Sequence, residues 1–262
     1  MANPAVLRCG IRAAAARLCI VLARFSAAAL PNRCALCGNL SHRTICDCCD
    51  SAYWNEARLR CPRCALPLPG ARGPGGAMRH RYRYRCGACA ESPPPFDATL
   101  ALADYRAPLD SLAVDLKFRA QLALGREFGE RLARLAADAL DGAPPLDVIA
   151  PVPLARRRLV ERGYNQAWTI ARPLARVLKV RAAATLAARV ADTAPQSRLA
   201  FDARRANVAA AFEIARPVAG LHVGIVDDVM TSGATLDALA RKLKEAGARR
   251  VTNFVALRTA KD

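Results

Sequence analysis

Residues 223–236 read VGIVDDVMTSGATL, and the reading of this stretch decides the fold. Four mostly apolar residues, Val223–Val226, run into two adjacent acids, Asp227 and Asp228, and then into a knot of small hydroxyl residues and glycine. The apolar run predicts a buried strand over Leu221–Val226, and the spacing that follows predicts a helix over Ala234–Ala246 closed by Gly247. A strand that passes through a short loop into a helix is a unit of a parallel α/β sheet, whose ligands sit beyond the carboxyl ends of the strands. Thr231, Ser232, Gly233, Ala234 and Thr235 then fall at a helix N-terminus, where free N–H groups and the helix dipole receive an anion. The loop has no lysine, and neither G-x-x-x-x-G-K-[ST] nor G-x-G-x-x-G occurs, so it is not a nucleoside-triphosphate or dinucleotide loop. An anion loop preceded by two carboxylates suits a ligand with a phosphate and vicinal hydroxyls. A ribose 5-phosphate unit has that shape.

The flanking sequence extends the same architecture. Pro108–Ala120, Leu124–Leu140 and Asn165–Leu178 have helical spacing, with Pro173 predicting a kink or boundary in the last. Leu146–Pro151 and Arg250–Leu257 read as strands. Strands alternating with helices predict an α/β domain on a mainly parallel sheet, over residues 96–262. Glu91–Leu100, ESPPPFDATL, reads as a linker into it.

Eleven cysteines occur, and eight form four C-x-x-C pairs between turn-forming Gly and Pro. Two intervening residues let both sulfurs of a tight turn face one ion, and two such knuckles make a tetrahedral thiolate cage. The sequential pairing places Cys34, Cys37, Cys46 and Cys49 at one site and Cys61, Cys64, Cys86 and Cys89 at the other. This predicts a double zinc ribbon over residues 31–92, with one or two structural zinc ions that supply folding energy where apolar core is scarce. An iron–sulfur cluster is the alternative that four thiolates also suit. A disulfide framework lacks a secretory signal, and a redox dithiol lacks its βαβ context. Cys48, inside its knuckle, competes as a ligand. The loop beginning at Pro67 is Gly/Pro-rich. Beyond it, Arg79–Arg85 alternates basic residues with Tyr82 and Tyr84, either as a solvated strand or as a surface on which nucleotides stack.

The formal net charge is +18: residues 1–95 carry 14 arginines and four acids, a surplus of +10, and residues 96–262 the remaining +8. Two four-thiolate zinc sites would lower the first figure to +6, so the basic character survives and favours phosphates or nucleic acid as partners. No uninterrupted apolar run is long enough to cross a membrane. Residues 1–30 predict a leading helix, Ala5–Leu30, alanine-rich with Arg8, Arg12, Arg17 and Arg24 at roughly helical intervals. It reads first as a helix packing on the next domain, with a transit peptide or a membrane-surface helix as alternatives.

Val223–Thr235 resembles the phosphoribosyl-pyrophosphate signature of type I phosphoribosyltransferases. The likeness spans nearly the whole chain: the C-x-x-C ribbons, PVPLARRRLVERGYNQA, APQSRLAFDARRANVAAAF and VDDVMTSGATL together resemble the ComF family of competence-related, GntX-like proteins. In place of the family's frequent Thr-Thr-Gly stands Thr231-Ser232-Gly233, which keeps the hydroxyl. The resemblance implies a double zinc ribbon on a phosphoribosyltransferase fold. It implies phosphoribosyl pyrophosphate with magnesium as ligand, pentosyl transfer as the activity class, and a link to the uptake or use of external DNA from the bacterial cytoplasm or the inner-membrane face. On this footing Thr231–Thr235 hold the 5-phosphate and Asp227 and Asp228 the ribose hydroxyls. The loop after Val148–Ala150, with Arg156 nearest, takes the pyrophosphate together with Lys117. Gln196–Asn207 becomes a hood over the reacting centre. Arg156–Arg158 as a solvated helix start, and Gln196–Asn207 as a surface loop, are the plainer readings. A non-enzymatic accessory that handles single-stranded DNA is the rival function.

Overall fold

A stretch with paired cysteines and few apolar residues supports only short strands and single helical turns, and the first part of the chain is built from them. The computed structural model describes residues 32–54, 58–72, 84–190 and 211–260. The predicted leading helix, Arg79–Arg83 and Gln196–Asn207 therefore lie outside the described residues. β1 (Asn32–Arg33) pairs antiparallel with β2 (Leu40–Ser41), and α1 (Asp47–Tyr53) follows. The chain divides into two compact units between Ala52 and Tyr53.

The second unit begins with an antiparallel pair, β3 (Arg58–Arg60) and β4 (Pro67–Arg72), then α2 (Gly87–Glu91). The loop expected from Pro67 onward is thus a strand in its first six residues. In a two-stranded ribbon one edge is unpaired, so Pro67 and Pro69 cost little there. The rest runs β5 (Ala98–Asp104), α3 (Asp110–Phe118), α4 (Leu122–Ala139), β6 (Val148–Pro151), α5 (Arg156–Arg162), α6 (Gln166–Leu178), β7 (Arg181–Ala182), β8 (Ala187–Arg189), β9 (Phe212–Ile214), β10 (His222–Met230), α7 (Ala234–Glu245) and β11 (Arg250–Arg258). β5 takes up the end of the expected linker. The helix α6 runs on through Pro173 instead of ending there.

Five strands form one parallel sheet in the order β5-β11-β10-β6-β7, while β8 and β9 pair separately and antiparallel. The second unit is therefore an α/β domain on a mainly parallel sheet, and each unit holds one four-cysteine cluster. Central strands read as unbroken apolar runs because both faces are covered; all four residues of β6 are buried. On one face Val223, Ile225, Val251 and Val255 pack with Leu236, Leu239 and Leu243 of α7. α4 and α6 cover β5, β10 and β6 from the other. Their approach is close because α4 presents glycine there. A Cβ on Gly125 would lie 2.4 Å from Thr169 Oγ1, and one on Gly129 2.5 Å from the Ile170 carbonyl.

Candidate sugar-phosphate site and cysteine clusters

The strand β10 does not stop before its acids. It continues to Met230, with Asp227 in register with Val255 and Val229 with Leu257. Because strand side chains alternate, Asp227 follows Val223 and Ile225 toward the α7 face, and Asp228 follows Gly224 and Val226 toward the other. Asp228 is buried at 2% exposure, and its Oδ2 faces the Lys117 ammonium at 2.9 Å, an ion pair without an aligned hydrogen bond. The Asp228 N–H donates to Asp227 Oδ1 at 3.0 Å. Burial, with Asp228 beside it, pushes the Asp227 carboxyl well above the ordinary carboxylate range, and Lys117 pulls it back only in part. One ammonium faces two acid groups, and burial disfavours the ionised form of the second, so a cation or a set of hydroxyl donors would stabilise it there.

Beyond Met230 the loop Thr231–Gly233 turns into α7. Gly233 stands at the helix N-cap with φ +86°, a conformation that favours glycine, and a Cβ there would meet Met230 Cε at 2.6 Å. Thr231 and Ser232 are exposed, and Ser232 Oγ accepts the Ala234 N–H at 3.4 Å. The first amides of α7 have no carbonyl within the helix, which is the usual basis of a phosphate site.

The loop after β6 lies next to the acids, since Pro151 is in register with Val226 and the Val152 N–H donates to the Val226 carbonyl at 2.8 Å. Asn165 fixes it: its side chain caps α6 by accepting from the Ala167 and Trp168 N–H groups, and its Nδ2 donates to the Val152 carbonyl at 3.0 Å. Tyr164 Oη donates to the Leu116 carbonyl, one residue before Lys117. Arg156 opens α5 and is exposed, as are Arg157 and Arg158. The structure thus brings Lys117 to the acid pair and sets Arg156 at the end of the neighbouring loop. Tyr164 and Asn165, which hold that arrangement, lie in the run RGYNQ, whose sequence reads as partly structural with Tyr164 packing inward.

Sulfurs of Cys34, Cys37, Cys46 and Cys49 all lie within 4.8 Å of one another, and so do those of Cys61, Cys64, Cys86 and Cys89. A tetrahedral site with Zn–S of about 2.3 Å has edges of about 3.8 Å, and Cys37–Cys46 and Cys64–Cys86 are each 3.7 Å apart. Cys48 is exposed and outside the first cluster. The thiols compete for one negative charge: a hydrogen bond from Cys64 holds Cys61 down at about 4, while that same bond and burial raise Cys64, and burial pushes Cys89 up to about 12. A dication at the centre would stabilise all four thiolates, so both donor sets fit zinc.

The second cluster is tied to the sheet by three arginines. Arg60 donates to the Ala65 carbonyl at 3.0 Å and to Asp104 at 2.7 Å. Arg63 donates to the Phe96 carbonyl at 2.6 Å. Arg258, at 1% exposure, donates from Nε to the Cys64 carbonyl at 2.9 Å and from Nη1 to the carbonyls of Met230 (3.0 Å), Thr231 and Thr259 (2.7 Å). None of these was visible in the sequence, where arginines are many and most are solvated.

Comparison with known proteins matches residues 165–261 to the phosphoribosyl transferase domain family. The chain is 35% identical over 235 residues to the DNA utilization protein YhgH of Salmonella typhi, covering 88% of this chain and 98% of that one. It is 31% identical over 182 residues to competence protein F of Haemophilus influenzae, covering 67% of this chain and 79% of that one. Among solved structures, the glutamine phosphoribosylpyrophosphate amidotransferase from B. subtilis matches over 50% of this chain and 25% of that chain, at 20% identity and a TM-score of 0.35. Among the described residues no helix is long and apolar enough to cross a membrane.

Proposed function

The chain belongs to the ComF family of competence-related, phosphoribosyltransferase-like proteins, and from that premise we propose that it binds phosphoribosyl pyrophosphate with magnesium and transfers or senses the ribosyl phosphate. The observation that carries this reading is the Asp227–Asp228 pair, half-buried and buried in turn, with the Lys117 ammonium 2.9 Å from Asp228, immediately before a helix N-terminus that has its own hydroxyl-lined turn. In this reading the ligand lies across the end of β10. The 5-phosphate sits on the amides and hydroxyls of Thr231–Thr235, and the ribose hydroxyls donate to Asp227 and Asp228. Asp228 has Lys117 as its cation while, among the described residues, the Asp227 carboxylate has none of its own, which fits a hard cation, so these acids would hold the magnesium-bound ribose. Magnesium supplies charge neutralisation at the pyrophosphate.

For transfer, the bond from the anomeric carbon to pyrophosphate breaks as a nucleophile attaches from the opposite face. Positive charge grows on the ribosyl ring beside a departing anion. Asp227 and Asp228 favour the cationic ring, while Lys117 and Arg156 favour the leaving group. Zinc in both cysteine clusters is assigned a structural role.

The test is calorimetry with phosphoribosyl pyrophosphate and magnesium. Wild type should bind, and the double variant Asp227→Asn/Asp228→Asn should not; equal affinities reject the ribose role. Release of pyrophosphate from labelled ligand over a panel of bases and amines separates transfer from sensing. A second role, contact with single-stranded DNA, is favoured by the exposed Arg156, Arg158, Tyr84 and Arg85. Phosphate contacts would make that binding fall steeply with salt, and a flat salt titration removes it. This reading fits the bacterial cytoplasm or the inner-membrane face.

A further inference from the structure

The two compact units each hold a cysteine cluster, but only the second cluster shares a unit with the sugar-phosphate loop. Within that unit one side chain touches both. Arg258 is wholly enclosed, and a buried guanidinium has no water to bond, so its orientation follows from the carbonyls it finds. One is the Cys64 carbonyl, at 2.9 Å, inside the C-x-x-C turn of the second cluster. The others belong to Met230 and Thr231, where β10 ends and the anion loop begins, and to Thr259. The knuckle itself is pinned to the same sheet: the Thr99 N–H donates to the Pro62 carbonyl at 3.1 Å, and Arg60 holds the Ala65 carbonyl.

We infer that Arg258 makes the second four-cysteine cluster part of the support of the anion loop, so that metal occupancy at Cys61, Cys64, Cys86 and Cys89 and ligand binding at Thr231–Thr235 are thermodynamically coupled. This deepens the proposed function and rests on it for the identity of the ligand. The physical route is short. With a dication at the cluster, the Cys61–Cys64 turn is closed and its carbonyl stays on Arg258. Without it, no metal–sulfur bond joins the two knuckles, and the turn is free to open. The guanidinium then loses an acceptor it cannot replace with water and shifts, releasing the Met230 and Thr231 carbonyls that set the direction of the loop. Arg258 is a positioning residue, acting on the ligand only through that loop. Coupling is reciprocal, so bound ligand must tighten metal at the second cluster by the same factor that metal tightens the ligand.

The experiment uses amide hydrogen exchange on the full chain with no ligand, with zinc loaded and after chelation. Exchange at residues 231–235 should quicken about tenfold or more on metal removal, within the usual range for coupled sites, while β10 and β11 stay protected. Cys34→Ser/Cys37→Ser, which empties the other unit's cluster alone, should leave the loop's exchange unchanged. Arg258→Met, which keeps length and loses every donor, should give fast loop exchange with zinc still bound and no further response to chelation. If that variant does not fold, Arg258→Lys and the wild-type chelator titration carry the test. In the second arm, phosphoribosyl pyrophosphate with magnesium should slow extraction of zinc from the second cluster in wild type and not in the Arg258 variant. Loop exchange indifferent to metal in wild type overturns the inference, whether or not the ligand binds. Loop exchange that responds to metal in a chain that fails to bind phosphoribosyl pyrophosphate upholds it and overturns the ligand assignment instead.

Discussion

Carboxylates at the ends of the sheet fall into two groups. Asp97, just before β5, accepts the Val251 N–H at 2.8 Å and pairs with Lys244 at 2.7 Å; burial raises its carboxyl, but these donors outweigh it and hold it below the ordinary range. Asp104, at the other end of β5, is buried against Arg60 at 2.7 Å. Asp147 accepts the His222 N–H at 2.7 Å. Each of these acids is closed by the protein's own donors. Asp227 and Asp228 are not: they sit as a pair against one ammonium, and burial drives the Asp227 carboxyl upward. The first group stabilises the sheet; under the proposed function the second is the pair that a ligand would complete.

That contrast can be broken by substitution. The largest effect is expected at the closed acid with the deepest burial: Arg60→Met removes the cation that faces the buried Asp104, and should cost about 3–5 kcal/mol in urea or thermal unfolding. A change under about 1 kcal/mol would mean that Asp104 is not closed by Arg60. Next, Asp97→Asn should lower stability by about 1–3 kcal/mol, because it weakens a half-buried acceptor of a strand N–H and a lysine, while leaving phosphoribosyl-pyrophosphate affinity unaltered. Asp227→Asn should do the reverse, keeping or raising stability by about 1 kcal/mol while binding is lost. Loss of both stability and binding at either position erases the distinction.

The smallest and sharpest effect is in pH. The folded chain keeps the Asp227 proton to higher pH than the unfolded chain does. Between the ordinary carboxylate range, about 4, and that raised value the folded state binds more protons, and stability falls as pH rises. Asp97 has the opposite sign: its contribution is complete above the ordinary range and lost as pH falls through its lowered value. His222, buried among Pro144, Pro145 and Thr252, has its imidazole held down by burial, so stability is also lost as pH falls below about 6.5. Asp227→Asn leaves the last two intact, so the difference between its pH profile and that of wild type isolates the open acid. Parallel profiles would place Asp227 with the closed group.

Local rules made part of this legible. The strand, acid doublet, turn and helix around residues 221–247 announce themselves because apolar runs, glycine and hydroxyl residues act over a few positions. β7, β8 and β9 have two or three residues each, too few to show a period, and β5 was hidden by the prolines before it. Pro173 looked like a boundary because proline breaks isolated helices; in α6 it is buried against Gly129 of α4, and packing outweighs the lost hydrogen bond.

What the amino-acid sequence determined alone is the inventory: two sets of four thiols at knuckle spacing, an acid pair ahead of an anion loop, and the alternation that builds a parallel sheet. Each depends on neighbours along the chain, and chain geometry is enough to specify it. Only the tertiary structure decided which charges are spent internally. Arg60 and Arg258 are two of many arginines in a basic chain, and nothing local marks them as buried. Contacts such as Arg258 to Cys64, Lys117 to Asp228 and Asp97 to Val251 join residues more than 100 positions apart. Their existence depends on how the strands stack and which faces close, a property of the folded core that no short segment encodes.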